Sequence, residues 1–488
     1  MKSARLLALL LFIFCTVPAV ADSWLAPGDE GLRSDIELLA DAGILRGPIT
    51  TWPMSWPDIA RDVVGATAGT GREFDVMINA ALLRVQRQAR IASSTGYSGL
   101  GVGLSGANRL SVFRGFADAP REQGEAHARA SWLTDHFAVN LRATVVADAS
   151  DDKTFRPDGS YLGVNVGNFM LSAGFMERWW GPGWDGSLIL STNARPIPSV
   201  TLERNYSDSF LTPLLRWIGP WRASIAMGRA ESRGVAVPGV RFLATRVNFK
   251  PRSWMEFGLS RTAQWCGDTR ECGWSTFTDM LMGRDNQVVD GSTIDQPGNQ
   301  MAGYDVRIRS PWKRLPLAVY SQLIGEDEAG GLPSKFIGQL GLEAWGQTPM
   351  GGLRVRAEYS DTACNFTRGT PEFDCAYRNA IYPQGYSFRG RNIGHSINRD
   401  GRMYGVAALL SRPAGEVFSL ALRRIELNRD GGEHPIGGVP LSIDDVELRY
   451  ARPFAIGRVS IALGYQGADE SSELESGVRG FLSWQQGF

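Results

Sequence analysis

The sequence predicts an all-β transmembrane protein, an antiparallel β-barrel of the bacterial outer membrane with a small α-helical bundle before it. An export signal at the N-terminus, a period of two in the hydrophobic pattern from Gly96 onward and a final strand ending in Phe488 together predict this class. In lipid, half-apolar strands satisfy their backbone groups only by closing into a barrel. We divide the chain into a signal peptide (1–21), a periplasmic helical domain (22–94) and the barrel (95–488).

The first 21 residues have the three parts of a secretory signal. Lys2 and Arg5 precede an apolar run, and Ala19-Val20-Ala21 offers a small-residue cleavage site before Asp22. Cys15 follows Phe14, where a lipoprotein signal would carry a small residue, so lipidation is not expected. After the signal, no stretch approaches the roughly 18 to 20 apolar residues of a spanning helix.

Residues 24 to about 93 have a helical period. A first apolar set ends near Gly43, and Ser55-Trp56-Pro57-Asp58 resembles a capped helix start with proline in the first turn. A later set steps by three or four: Phe74, Ile78, Leu82, Val85 and Ala89. This domain either plugs the barrel from below or docks a periplasmic protein partner, and the sequence leaves both open.

From Gly96 the pattern alternates in runs such as Val139, Leu141, Ala143, Val145 and Ala147. With their flanks these runs reach roughly the 9 to 11 residues of a tilted membrane strand. We count about 18 to 20 of them and expect an even number. A soluble β-solenoid or a pair of β-sandwiches also alternates, but neither needs a terminal aromatic residue or so many aromatic residues at strand ends.

The polar face of these runs carries charges of both signs and is expected to line the lumen. Paired charges can fill a lumen as well as line a channel, so the pattern does not decide whether the lumen is open. The residues concerned are Arg142, Glu256, Asp305, Arg307, Arg309, Arg354, Arg356, Glu358, Glu447 and Arg449.

Composition excludes one class of partner and predicts two cross-links. Loss of Lys2 and Arg5 with the signal takes the 51 Lys and Arg to 49, against 51 Asp and Glu, so the basic excess of a nucleic-acid-binding protein is absent. The remaining cysteines form two close pairs, Cys266 with Cys272 and Cys364 with Cys375. Of three connectivities, two local disulfides are the simplest in an oxidising compartment. A Cys₄ metal site is the alternative, although the spacings are too wide for a zinc knuckle.

The densest motif is Arg178-Trp179-Trp180-Gly181-Pro182-Gly183-Trp184-Asp185-Gly186, followed by Asn193-Ala194-Arg195. Aromatic faces beside planar hydrogen-bonding groups suit a sugar, whose C–H face stacks and whose hydroxyls need donors and acceptors. We therefore predict polysaccharide contacts by Trp179, Trp180, Trp184, Arg178, Asp185 and Arg195. The alternative is that this loop folds into the lumen or closes one rim.

A second segment, Tyr386 to Ser396, is basic and polar. Arg391 is a candidate contact for an acidic sugar, with a solvated rim charge as the alternative. His395 and Ser396 suggest a hydrolase pair, but neighbours on a strand would point to opposite faces, and there is no G-x-S-x-G elbow. We predict no enzymatic activity, no metal and no cofactor.

Three blocks resemble the Wzi family of capsule-assembly outer-membrane proteins: Trp24-Leu25-Ala26-Pro27-Gly28-Asp29 with its helical continuation, the tryptophan motif, and Gly390-Arg391-Asn392-Ile393-Gly394-His395-Ser396. The resemblance implies an 18-stranded outer-membrane barrel with a helical bundle on its periplasmic side. It also implies a lectin-like role in holding capsular polysaccharide or exopolysaccharide at the cell surface. The sugar contacts proposed above come from local chemistry and not from the resemblance.

We thus expect a non-enzymatic barrel in contact with outer-membrane lipids that binds or organises surface polysaccharide. A diffusion channel or polysaccharide export conduit is the first rival, because the same lumenal charges would serve as a selectivity lining. An outer-membrane hydrolase is the second rival, and it would need His395 or another base for turnover.

Overall fold

The computed structural model describes residues 22–67, 75–231, 234–268, 270–282, 298–312, 314–329, 332–379, 382–432, 438–455, 457–469 and 474–486. The predicted signal peptide, with Cys15, and the terminal Phe488 lie outside the described residues and stay predictions. Within the described ranges, no helix combines the length and the apolar character needed to cross a bilayer.

Two of the helices begin with side-chain caps, of which the sequence predicted the one at Ser55. The Asp29 carboxylate accepts a hydrogen bond from the Leu32 amide at 3.0 Å, and the Ser55 hydroxyl accepts one from the Asp58 amide at 3.3 Å. Both side chains satisfy an amide of the first turn that has no partner inside the helix. The described helices are α1 (Glu30–Asp41), α2 (Trp56–Val63), α3 (Asp75–Ala92) and α4 (Trp274–Leu281).

Most strands belong to one antiparallel sheet. The first part of the chain contains β1 (Trp24–Leu25), β2 (Thr51–Trp52), β3 (Met54–Ser55), β4 (Gly96–Ala107), β5 (Gly124–Leu133), β6 (Phe137–Ala147), β7 (Phe155–Arg156), β8 (Tyr161–Val166), β9 (Phe169–Gly174), β10 (Trp179–Trp180), β11 (Ser199–Arg204), β12 (Trp221–Arg229) and β13 (Arg241–Arg252). The second part contains β14 (Met255–Trp265), β15 (Gly298–Arg309), β16 (Leu317–Ala329), β17 (Leu332–Thr348), β18 (Gly351–Asp361), β19 (Ser387–Phe388), β20 (Arg391–Asn392), β21 (Arg402–Ser411), β22 (Val417–Leu427), β23 (Leu441–Phe454), β24 (Gly457–Ala468) and β25 (Gly477–Gln486).

The sheet closes into a barrel through two pairings. β25 pairs with β4, and β9 pairs with β11, so that the ring runs from β4 to β25 without an edge. The short β7 and the following β8 both pair with β6 and occupy one position in the ring. The described part of the chain therefore forms an 18-stranded barrel, which confirms the predicted fold class.

The two faces of the wall differ as the alternation predicts. On β6, Leu141 and Val145 are 55% and 57% exposed on the outside, whereas Asn140 and Thr144 are buried on the inside. A closed barrel with an apolar outer face and a polar interior is the β-form that satisfies its backbone in a bilayer. The protein is accordingly an outer-membrane barrel.

The two rims of the barrel differ in the length of their connections. One rim, the helical rim, receives α3 before β4 and has short turns such as residues 134–136, 167–168 and 349–350. The opposite loop rim carries the long connections 175–198, 266–297 and 362–401. Outer-membrane barrels have short periplasmic turns and long outer loops, so this arrangement supports a periplasmic position for α1, α2 and α3, whereas α4 belongs to the loop rim.

Helix α1 lies against the polar interior of the barrel and fills much of the lumen. Arg354 of β18 contacts Glu37 of α1 at 3.1 Å and Glu343 of β17 at 2.6 Å, and Arg307 of β15 pairs with Asp41 at 2.7 Å. The apolar side of the helices shares a core with Trp179 and other lumenal side chains. Of the two roles left open for the helices, the structure shows the plug.

The four described cysteines form two loop disulfides. Cys266 is bonded to Cys272 and Cys364 to Cys375. The local pairing predicted from the spacing is confirmed, and the Cys₄ metal alternative is wrong because every thiol of these two pairs is used in a disulfide.

Candidate functional site

The tryptophan motif lies in the lumen. The connection from β9 to β11, residues 175–198, turns back from the loop rim, and we name it the tryptophan loop. Its strand β10 pairs with β2, which places Trp179 opposite Trp52. Trp179 and Trp180 are 0% exposed and Trp184 is 2% exposed. The loop therefore forms the upper half of the plug, on top of the helices.

Helix α1 holds this loop from below. The Arg33 guanidinium donates to the carbonyl oxygens of Gly183 at 2.8 Å and Pro182 at 2.5 Å, and its central carbon lies 4.2 Å from the ring centre of Trp184. Phe116 meets Trp179 edge to face at 5.4 Å. Both kinds of contact stabilise aromatic rings in a buried setting.

Glycine is required where this loop meets the rest of the plug. Gly181 has a φ of 146°, which side chains rarely adopt. A Cβ on Gly186 would overlap the ring of His395. Gly181 of the Gly-Pro-Gly motif thus allows the tight chain reversal, and Gly186 allows the close approach between two loops.

The predicted stacking of sugars on these tryptophans has no open ring face in this arrangement. Protein groups cover all three rings. The loop is folded into the lumen, which is the alternative to sugar binding that the sequence left open. Direct stacking stays a prediction that requires the loop to leave the lumen.

Arg178 and Asp185 are buried within the same plug. Arg178 donates to the carbonyl of Met176 at 3.1 Å and to the hydroxyl of Thr201 at 2.5 Å. Asp185 accepts from Arg423 of the wall at 2.9 Å. Both side chains use their polar atoms to attach the loop to the barrel, and their predicted sugar contact is likewise untested.

Arg195 lies at the loop rim in a network of charges. Its guanidinium binds Asp158 through two hydrogen bonds of 2.7 and 2.8 Å and Asp151 through a third of 2.5 Å. Asp151 also pairs with Arg156 at 2.8 Å. Arg195 therefore carries its own counter-ions, which leaves it fewer donors for a sugar than the sequence suggested.

Arg391 belongs to a cluster of three arginines at the loop rim, which we name the arginine cluster: Arg114, Arg121 and Arg391. Both Arg391 and Arg121 donate to Asn193. Arg391 binds the side-chain oxygen of Asn193 at 3.0 Å, and Arg121 binds the backbone carbonyl of Asn193 at 3.0 Å. Arg114 donates to the carbonyls of Pro120 and Ala119. The cluster thus gathers residues from two loops, and Asn193 of the tryptophan loop joins them.

The arginine cluster has an excess of positive charge. Burial and the neighbouring Arg121 lower the pKa of Arg391 to about 10, and burial with Arg121 and Arg391 lowers the pKa of Arg114 to about 9. The nearby carboxylates are Glu177, 3.1 Å from Arg121, Asp118, which is 3.9 Å from Arg114 and 60% exposed, and Glu122, which is already paired with Arg156. An added anion would relieve the mutual repulsion of these guanidinium groups.

Sequence reasoning found Arg391 but missed Arg114 and Arg121. Those two lie in the β4–β5 connection, and nothing in the local spacing marks them. They meet Arg391 because both loops fold over the same side of the rim. Such long-range proximity could be predicted from a method that predicts residue contacts, but not from a local motif.

A polar cavity of about 350 Å³ lies between the plug and one side of the wall. It reaches from Asp22 and Gln88 near the helical rim to Arg121 and Glu177 at the loop rim. Most wall groups that line it are polar, among them Ser105, His127, Asn140, Arg142, Ser460 and Gln485. The plug therefore leaves part of the lumen unfilled.

Three carboxylates at the loop rim lie close together. Oxygen atoms of Asp374, Asp400 and Asp430 are within 4.8 Å of one another. Burial, followed by the carboxylates of Asp430 and Asp374, raises the pKa of Asp400 to about 6. The group has the ligand type of a cation site, and Arg378 pairs with its Asp374 at 2.8 Å.

His395 and Ser396 do not form a hydrogen bond with each other among the described contacts. They lie in a turn after β20 and not on a strand, so the strand argument against pairing does not apply. His395 is fully buried, and its Nδ1 accepts the amide hydrogen of Ile397 at 3.2 Å. Its position under Gly186 gives the ring a packing role in the plug.

Comparison with known proteins identifies related sequences. A family model described as capsule assembly protein Wzi matches residues 95–475. An uncharacterised 55.8 kDa protein in the cps region of Klebsiella pneumoniae is 30% identical over 351 residues, which cover 70% of this chain. The matched part is 66% of that relative, so the chain spans just under two thirds of its length.

A solved structure has the same architecture. Wzi of Escherichia coli, described as an outer-membrane protein involved in group 1 capsule assembly and as a carbohydrate-binding β-barrel, matches with a TM-score of 0.83. The match covers 95% of this chain and 99% of that one at 24% identity. At this level of identity the likeness concerns the fold.

Proposed function

Because the chain belongs to the Wzi family of capsule assembly proteins, we propose that it binds capsular polysaccharide or exopolysaccharide and holds it at the cell surface. The observation that carries this proposal is the combination of a filled lumen with a cation-rich loop rim. A barrel whose lumen is occupied by helices and a tryptophan loop is suited to presenting a surface. We assign the chain a binding role and no catalytic step.

The arginine cluster is the part of the rim that we propose as the primary contact. Guanidinium groups bind carboxylates through two parallel hydrogen bonds, which suits the uronate or other acidic groups of a surface polysaccharide. Arg391 and Arg121 are partly exposed, and both hold Asn193 at the end of the tryptophan loop. In this proposal the tryptophan loop supports the cluster from within the lumen.

Arg391→Gln tests this proposal. Loss of a charge-assisted contact of about 1.5 to 3 kcal/mol would weaken binding of an acidic polysaccharide by roughly tenfold or more. We would measure binding of the purified barrel to one acidic polysaccharide before and after chemical reduction of its carboxyl groups. The carboxyl-reduced polymer should bind wild type and variant equally.

Arg378→Gln is the matched control. Arg378 lies on the same long loop, is 49% exposed and pairs with Asp374 at 2.8 Å. It should leave binding unchanged. Equal losses for Arg378→Gln and Arg391→Gln would refute the arginine cluster as the contact, since general rim charge would then explain the binding.

The polar cavity favours a second candidate function, a channel for small solutes. The cavity reaches both rims, so the plug does not occupy the whole length of the lumen on that side. Single-channel recording in planar bilayers separates the two functions. The attachment role predicts little conductance while the plug is in place, whereas a large, steady conductance of the wild-type barrel would favour the channel. Export of a polysaccharide would further require the plug to leave the lumen.

A further inference from the structure

The connection between β11 and β12, residues 205–220, has the most exposed apolar side chains of the helical rim. Leu211 is 91% exposed, Leu214 is 81% exposed and Trp217 is 62% exposed. We name these residues the β11–β12 loop. Exposed apolar groups grouped on one short segment indicate contact with another apolar phase and not with water.

The loop crosses the rim from the plug to the outside of the barrel. At its start, the Ser207 amide donates to the Asp58 carboxylate of α2 at 3.1 Å, and Asp208 pairs with Arg61 at 2.8 Å. Further on, the ring of Phe210 stacks on Trp221 with centroids 4.7 Å apart and planes 12° apart. The loop is thus attached to the plug on one side and to the wall on the other.

Trp221 faces outward. On β12 the buried Arg222 and Ser224 point into the lumen, and Trp221 shares the opposite face with Ile225 and Met227, which are 49% and 42% exposed. Because Phe210 stacks on Trp221, the loop lies on the outer side of the wall. Leu211 follows Phe210 directly in the chain, and Leu214 lies shortly after it.

The neighbouring strands supply an aromatic belt at the same height. Phe249 of β13 is the register partner of Trp221, and Phe257 of β14 is the register partner of Phe249. Phe249 and Phe257 stack with centroids 5.6 Å apart. Aromatic rows of this kind mark the boundary between the hydrocarbon and the lipid headgroups.

We propose that the β11–β12 loop inserts Leu211, Leu214 and Trp217 into the lipid leaflet at the helical rim. The partner is the phospholipid surface, because the loop reaches the outer face of the barrel at Phe210, beside the aromatic belt. Exposed Arg216 between the leucine and the tryptophan is placed to meet lipid phosphate groups. The loop thereby anchors the plug, through Asp58 and Arg61, to the membrane.

A fluorescent label at position 214 tests this proposal in the full-length mature barrel. The four cysteines outside the signal peptide are all in disulfides, so Leu214→Cys provides a single free thiol for an environment-sensitive dye. In phosphatidylcholine–phosphatidylethanolamine vesicles, the dye at position 214 should emit at a shorter wavelength than the same dye in water. Spin-labelled acyl chains should quench it severalfold more strongly than aqueous iodide.

Asp135→Cys provides the matched control, since Asp135 is exposed in the 134–136 turn of the same rim. Its dye should be quenched by iodide and little affected by the spin-labelled lipid. If the dye at position 214 behaves like the dye at position 135, the loop lies in water in vesicles that contain no other protein. That result would overturn lipid insertion and leave the loop to a protein partner.

Leu211→Cys guards against misfolding of the first variant. Its side chain is the most exposed of the three, so labelling should not disturb the barrel. Barrel folding is checked by the difference in gel mobility between heated and unheated samples. Iodide quenching at both positions in correctly folded samples would contradict the proposal.

Discussion

Arg354 is the residue through which the barrel wall holds helix α1 most directly. Its guanidinium is 0% exposed and binds Glu343, Glu37 and the hydroxyl of Ser34 at 2.6, 3.1 and 3.1 Å. A buried charge is costly unless it is paired. The guanidinium of Arg354 therefore stabilises the fold in two ways: it makes its own contacts, and it neutralises the buried carboxylates of Glu37 and Glu343.

Arg354→Ala should destabilise the folded protein by about 3 kcal/mol, because it leaves Glu37 and Glu343 with fewer partners in a buried setting. The value lies at the low end of the usual range since Arg307 still pairs with Glu343. Urea unfolding in detergent micelles measures the change. Arg378→Ala, an exposed ion pair, is the control and should cost about 0 to 1 kcal/mol; equal effects would contradict the role of burial.

Asp400 gives the loop rim a dependence on pH. Its pKa is raised from 3.8 to about 6 by burial and by neighbouring carboxylates, so the folded loop retains a proton that the opened loop has lost. The resulting penalty is absent below about pH 4, grows between pH 4 and 6 and is fully present above pH 6. The loop is accordingly more stable at pH 5 than at pH 7.5.

Asp400→Asn should remove this penalty. At pH 7.5 it should stabilise residues 362–401 by about 1 to 2 kcal/mol, after allowance for solvent screening. At pH 4 it should have little effect, because the carboxyl group is protonated in both states. Amide hydrogen exchange of this loop, corrected for the intrinsic rate at each pH, is the measurement. A wild-type loop whose protection does not fall between pH 5 and 7.5 would refute the assignment.

Among the elements, the tryptophan loop is the one whose role changes most between sequence and structure. Its rings fill the lumen and its glycines allow close packing, so truncation of a ring leaves a cavity inside the plug. The loop also carries Asn193, which both Arg121 and Arg391 bind. Loss of packing in the tryptophan loop should therefore displace Asn193 and disturb the arginine cluster.

Trp184→Ala should lower the stability of the plug by about 3 to 5 kcal/mol. We expect a measurable rise in conductance and less polysaccharide retained at the surface, while the amount of inserted barrel stays the same. Trp274→Ala, which removes a ring that is 78% exposed on α4, is the control and should change neither property. Unchanged conductance and retention for Trp184→Ala at normal protein levels would contradict a supporting role for the loop.

Local patterns predicted the elements because their periods are local. The alternation on β6 identified both faces, and Asp58, three residues after Ser55, marked the start of α2. The lumenal position of Trp179 could not be predicted in this way, because Gly, Pro and Trp suit a sugar-binding loop and an aromatic plug equally well. Which of the two occurs depends on contacts with Arg33 and Phe116, far away in the sequence.

For the molecule as a whole, the charges on the strands predicted which face lines the lumen but not that a helix fills it. Arg307 and Arg354 were expected to face the lumen, and they do, but their partners Asp41 and Glu37 belong to helix α1. A pattern of charges on strands does not reveal a helix that enters the barrel. The architecture that results is a barrel with a mostly filled lumen and long loops on one rim, which suits attachment better than transport.

Attachment of polysaccharide to the cell is the central claim, and deletion of the gene tests it most directly. We would quantify cell-bound and released polysaccharide in the deletion strain and in the strain complemented with the wild-type gene. If the protein attaches polysaccharide, its deletion should shift polymer from the bound to the released fraction at constant total, and complementation should reverse the shift. A fall in total polymer would contradict attachment in favour of export or synthesis, and an unchanged distribution would contradict it in favour of a channel.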